Sequence, residues 1–228
     1  MLRFGAMSRD LVGYGLRPPD VKWPNDARLT ISLVLNYEEG AELCVGDGDP
    51  EGERVGEFVY PSMDSRTRDL GIESTFEYGA RVGAWRVLRI FDNYGVKATI
   101  YACGRALERN PVIAREFSTR GHETAGHGYR WADHFRMSRD HERDQIRGPG
   151  WSGAGEFCEY LRDSVDYLRR EGKTTPRLLS IGLHGRIIGR PGRAMALERF
   201  LEYCRPLSDV WFARRVDIAR WWREHYAP

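Results

Sequence analysis

This sequence predicts an α/β fold on a parallel sheet, open or closed into a barrel, with part of the fold missing. Three observations carry that expectation. Apolar, β-branched runs alternate with amphipathic helical runs, the pattern of βα units. Acidic and imidazole side chains stand at the carboxyl ends of three apolar runs, where parallel α/β folds gather their sites. The alternation breaks once, where a helix ending at Arg147 passes through "GPG" into another helix with no strand between. Two helices in a row are what remains when a block of βα units is absent.

Each element has a local reason. Residues 1–26, rich in Gly, Pro and Asp, predict an irregular arm. "RLTISLVLNY" (28–37) is apolar and β-branched, a buried strand. From Gly40 to about Tyr78 no period is sustained, and a loop this long predicts a substrate lid or a disordered stretch. In "GARVGAWRVLRIFDNYG", Val82, Trp85, Leu88 and Phe91 recur at helical spacing and Gly95 supplies the stop. "VKATIYAC" predicts a strand. "NPVIAREFSTRG" predicts a helix capped by Asn110, with Pro111 at its first position. "HETAGH" is a short strand, and "SRDHERDQIR" a polar helix capped by Ser138.

"GEFCEYLRDSVDYLRREG" predicts a strongly amphipathic helix with Phe157, Tyr160, Leu161, Val165 and Leu168 on one face. "RLLSIGLH" is a strand. "RAMALERFLEYC" is a helix with Ala194, Leu197, Leu201 and Cys204 inward, capped near Gly192. "DVWFARR" and "DIARWWREHY" give a last strand and a last helix. The chain is read as one domain, 1–228, whose parts 1–147 and 148–228 meet at the break.

Bulk properties narrow the function. A net charge of +2 over 228 residues argues against nucleic-acid and anionic-membrane partners. No apolar run nears the roughly 20 residues of a membrane span, and the first 20 residues lack the pattern of a signal peptide. A cytoplasmic protein is expected. Cys44, Cys103, Cys158 and Cys204 lie far apart, which predicts free thiols and not a zinc knuckle.

The candidate chemistry lies at three strand ends: Glu38 and Glu39 after the first, His127 in "GHETAGHGYRW", and His184 in "SIGLHGR". Taken singly, an acid pair is commonly a solvated loop start and a lone histidine a structural one. Together, two carboxylates and two imidazoles at one barrel mouth suit acid–base hydrolysis. A carboxylate takes a proton from water, an imidazolium stabilises an oxyanion, and repulsion between adjacent acids raises one pKa. Trp131 stands where a second metal-binding histidine would need to be, and it cannot be a ligand. In "RIIGRPGR", Arg186 is a candidate for binding substrate or another anion, in a run that otherwise predicts a solvated turn. His122, His134, His141 and His225 are expected to be structural or exposed.

These motifs resemble the polysaccharide deacetylase (NodB-like) family. "LNYEEG" is similar to its Asp-Asp-Gly motif, "GHETAGHGYRW" to its His-x-x-x-His metal motif and "SIGLHGR" to its late Leu-x-His motif. Glu38-Glu39 for two aspartates and Trp131 for the second histidine resemble the branch containing the cofactor-independent allantoinase. The resemblance implies an incomplete NodB-like (β/α) barrel and a homo-oligomer. It implies hydrolysis of a small cyclic amide, allantoin to allantoate, without a cofactor. Glu38 would be the general base facing and activating the attacking water, His127 and His184 would be catalytic by positioning the substrate or stabilising the oxyanion, and Glu39, Trp131 and Arg186 would bind substrate. Several βα units of the family, with its third and fourth motifs, are missing at Arg147/Gly148, so loss of activity is one expectation. Two alternatives stand: a Zn²⁺-dependent deacetylase of N-acetylated sugars, with Glu39 and His127 as ligands, and a non-catalytic remnant.

Overall fold

A computed structural model describes residues 19–53, 64–130 and 154–226. Among them run five strands: β1 (Leu29–Tyr37), β2 (Thr99–Ala102), β3 (Glu123–Gly126), β4 (Arg177–His184) and β5 (Val210–Phe212). The helices are α1 (Leu70–Tyr78), α2 (Ala84–Tyr94), α3 (Gly104–Arg109), α4 (Pro111–Thr119), α5 (Ala154–Glu171), α6 (Gly185–Ile188), α7 (Pro191–Cys204) and α8 (Arg215–His225). A π-helical turn, Gly79–Gly83, joins α1 to α2.

All described strand pairs are parallel, in the order β3-β2-β1-β4. β4 runs beside β1 from Leu29↔Arg177 to Asn36↔His184, while β2 pairs the upper half of β1 on its other edge. β5 takes the lower half of that same edge, opposite Leu29–Ile31. Among the described residues the outermost strands are β3 and β4, which flank the predicted break, and the described sheet does not close, as expected of an incomplete barrel. The Arg147/Gly148 join, the helix expected over 138–147, Trp131, His134 and His141 lie outside the described residues.

The alternation along β1 divides the sheet into two faces. Leu29, Ile31, Leu33, Leu35 and Tyr37 enter one core with Val87, Leu88 and Phe91 of α2. Leu161 and Val165 of α5, and Ala194, Leu197, Phe200, Leu201 and Cys204 of α7, complete it. The inward set expected for α7 is thus buried. On α5 the expectation fails at Tyr160, which is 53% exposed, whereas Leu161 and Val165 are buried. The other face carries Thr30, Ser32, Val34 and Asn36 from β1 and the exposed Leu178, Ser180 and Gly182 from β4.

The stretch from Gly40 to Tyr78 differs from the expected lid. Its end is the helix α1, capped by the Asp69 carboxylate, which accepts from the N–H groups of Gly71 and Ile72. Ile72, Thr75 and Phe76 are its buried positions. Gly71, Gly79 and Gly83 dilute the helical signal there, so the period is hard to see in the sequence. α7 also starts earlier than expected: Arg190 is its N-cap and Pro191 its first residue.

Candidate active site

Parallel pairing brings three strand ends together. Glu38 and Glu39 directly follow β1, His127 directly follows β3, and His184 is the last residue of β4. His127 N–H donates to the Ala102 carbonyl at 3.0 Å, which continues the β2–β3 ladder by one step. Asn36 and His184 are register partners, and Asn36 Nδ2 lies 3.1 Å from His184 Nε2. Which of the two donates depends on the His184 tautomer.

Glu38 is the centre of the arrangement. Its Oε1 lies 2.9 Å from His127 Nε2 and 3.7 Å from His184 Nε2. Its Oε2 accepts from Arg186 Nη1 at 2.9 Å. The carboxylate is 1% exposed, whereas the side chains of His127 and His184 are 33% and 30% exposed. Water therefore meets the two imidazoles first, with the carboxylate behind them. That differs from the expectation that Glu38 itself faces the attacking water.

Glu39 is turned the other way. Its Oε2 accepts from the Glu38 N–H at 3.1 Å and its Oε1 from the Arg186 N–H at 3.1 Å. Burial pushes this carboxyl up to about 7, against the opposing pull of the Arg186 guanidinium. Repulsion from Glu38 adds less than burial does, so the expected cause of a raised pKa is the smaller one.

Arg186 lies in no solvated turn. It is 3% exposed, its guanidinium faces both acids, and its Cζ stands 4.6 Å from the centre of the Phe76 ring. Its position two residues after His184 is the signal that could have marked it as part of the acid cluster. Backbone packing holds it there. A Cβ on Gly79 would stand 2.5 Å from Glu39 Oε1 and 2.9 Å from Arg186 Cβ. A Cβ on Gly83 would collide with the Gly185 carbonyl. The π-helical turn thus lies backbone to backbone on α6, and only glycine permits that approach.

The other histidines divide as expected where they are described. His122 is buried, its Nδ1 accepts from the Ala98 N–H at 3.1 Å, and burial lowers its pKa to about 4. His225 stacks on Trp221 at the exposed end of α8.

A divalent ion needs three or more ligands at fixed distance. Among the described residues no group of three His, Cys, Asp or Glu is arranged to supply them. The Arg186 guanidinium, 2.9 Å from Glu38 and 3.8 Å from Glu39, puts positive charge where a dication would have to sit. The donor set present does not fit such an ion.

Comparison with known proteins places the chain in a family. A Pseudomonas aeruginosa PAO1 structure assigned as a polysaccharide deacetylase is 35% identical, over 96% of this chain and 99% of that one, with a TM-score of 0.87. The chain belongs to the polysaccharide deacetylase family. Members of this family are hydrolases that act on carbon–nitrogen bonds. The family model for polysaccharide deacetylase matches residues 64–150. The crystal structure of Puue allantoinase is 33% identical, over 96% of this chain and 98% of that one, with a TM-score of 0.86. A Schizosaccharomyces pombe protein assigned as a polysaccharide deacetylase is 26% identical, covering 94% of this chain and 97% of its own length. That alignment runs over 309 positions, more than the 228 residues of the chain, so it passes over residues of the relative that this chain lacks. No described helix is long and apolar enough to cross a membrane.

Proposed function

We propose that this member of the family opens a cyclic amide ring in the manner of an allantoinase, with allantoin as substrate and allantoate as product, and without a metal. The observation that carries the reading is the buried Glu38 carboxylate with His127 at 2.9 Å on one oxygen and Arg186 at 2.9 Å on the other. A carboxylate behind an imidazole orients that ring and stabilises its protonated form.

With Nε2–H of His127 directed at Glu38, the second ring nitrogen takes a proton from water as the water oxygen attacks the ring carbonyl. In the His184 tautomer that accepts from Asn36, the Nδ1–H donates to the oxygen that becomes negative. The tetrahedral carbon then expels the ring nitrogen, and the imidazolium of His127 returns its proton to that nitrogen. One C–O bond forms, one C–N bond breaks, and the carbonyl carbon leaves as a carboxylate. Glu39, its carboxyl raised by burial, sets Arg186 through two contacts and in this reading acts behind Glu38. Trp131 would wall the substrate pocket, and small cyclic amides are the expected ligands. The family resemblance implies a homo-oligomer.

A second reading, a Zn²⁺-dependent deacetylase of N-acetylated sugars held through Glu39 and His127, is favoured by the assignments of two relatives. A third, a non-catalytic remnant, is favoured by the open sheet. One experiment separates the three: allantoin hydrolysis by the purified chain, with and without chelator, beside the Glu38→Gln variant. The proposal expects turnover that chelator leaves unchanged and that Glu38→Gln lowers by about 10²–10⁴-fold, the loss expected when the carboxylate that orients the His127 base is removed. Loss with chelator and recovery with zinc would move the assignment to the deacetylase. A folded chain with no turnover on either substrate class would establish the remnant.

A further inference from the structure

The contact between Glu38 and His127 joins two loops that leave different strands, β1 and β3, with β2 between them. Something must hold those loops in register. We infer that Arg130 is the positioning residue that does so, tying the loop after the acid pair to the strand end that carries His127.

The geometry is specific. Arg130 lies three residues beyond His127. Its Nη1 and Nη2 each stand 2.7 Å from one oxygen of Asp49, and the same guanidinium donates from Nε to the Ala41 carbonyl at 3.4 Å and from Nη2 to the Glu42 carbonyl at 2.9 Å. Arg109 completes the series, donating to the Gly40 carbonyl at 3.1 Å and pairing with Asp47. Three successive carbonyls after Glu39 are thus each held by an arginine. The Ala41 N–H in turn donates to the Glu38 carbonyl at 2.8 Å, so the clamp reaches Glu38 through one turn. The other side is held as well: Gly104 and Arg105 donate their N–H groups to the carbonyls of Gly128 and Tyr129. The Arg130 guanidinium beside Asp49 holds that carboxyl well below the usual carboxylate range, as a short bidentate pair should.

A planar fork is required to hold a carboxylate and two carbonyls at once, and a lysine cannot do so. Arg130→Lys keeps the charge and removes the fork. The inference rests on the proposed roles of Glu38 and His127 for its kinetic consequence, and on geometry alone for the rest. In the full chain, Arg130→Lys is expected to speed amide exchange at Ala41 and Cys44 while leaving the β1 amides at wild-type rates. The His127 ring-nitrogen resonance should shift as the Glu38 contact lengthens. With allantoin, kcat should fall about tenfold or more with KM within about twofold, the signature of misplaced groups. Wild-type exchange and a wild-type His127 resonance in Arg130→Lys would overturn the inference, whatever happens to the melting temperature. If Arg130→Lys does not fold, Asp49→Asn, which keeps the arginine and weakens its anchor, is judged by the same two readouts. An inactive wild-type chain would sink the proposed reaction and leave exchange and resonance to decide the clamp.

Discussion

The two faces of the sheet are built from the same strands and differ at β4: Thr30, Ser32 and Val34 of β1 are buried on the second face too, but the β4 residues beside them are not. On one face, the odd-numbered residues of β1 from Leu29 to Tyr37 are sealed under α2, α5 and α7. On the other, β4 presents Leu178, 48% exposed, and the exposed Ser180 and Gly182. In a closed barrel that second face would be the lumen, filled by side chains from every strand. Among the described residues that filling is incomplete on the β4 side. The candidate site belongs to neither face. It stands on the strand ends, and the three that supply Glu38, His127 and His184 are all present. An incomplete barrel can thus keep a complete acid–imidazole–guanidinium cluster, because such a cluster depends on parallel register and strand-end loops.

That contrast can be tested by substitution, from the largest expected effect downward. Arg186→Met removes the cation between two buried carboxylates and should cost about 3–5 kcal/mol in urea unfolding, the range for breaking a buried pair. A cost under about 1 kcal/mol, the range of exposed pairs, would show that the cluster is solvated. Leu35→Ala, on the sealed face, should cost about 2–5 kcal/mol.

The pH dependence of stability comes next. Burial holds the folded His122 pKa near 4, below its ordinary 6.5, so His122 withdraws stability as pH falls from about 6.5 to about 4. Glu39 is raised from 4.5 to about 7, so the folded state holds its proton longer, and Glu39 withdraws stability as pH rises from about 4.5 to about 7. The two oppose each other in the overlap. Glu39→Gln removes one of them, and its stability should then rise more steeply between pH 4.5 and 6.5 than that of the wild type. Equal slopes would place Glu39 outside the buried cluster.

Leu178→Ser should cost the least, within about 0.5 kcal/mol, as at an exposed position. If it costs as much as Leu35→Ala, the inner face is covered in solution and the contrast between the faces fails.

Much of this was legible in the sequence. The described strands fall where apolar β-branched runs place them. α2, α4, α5, α7 and α8 follow from helical spacing, from Asn110 and Pro111, and from Gly95. α1 was not legible, because Gly71 stands in its first turn, Gly79 and Gly83 follow it, and the turn after it is set by a contact: Gly79 lies against Glu39 and Arg186. Tyr160 shows the reverse failure. It has helical spacing on α5 yet is 53% exposed, because it lies off the buried line of Cys158, Leu161 and Val165.

The sequence by itself determined which residue types stand at the carboxyl ends of parallel strands, since period, turn residues and apolar runs are local properties of the chain. That was enough to single out Glu38, Glu39, His127 and His184. Only the tertiary structure decided what they do to one another. It buried Glu38 behind the imidazoles, turned Glu39 toward Arg186, and drew Arg186 out of an expected solvated turn into the space between the acids. Burial and charge proximity depend on the sum of all neighbours in space, and residues 38 and 186 become neighbours only when β1 and β4 pair.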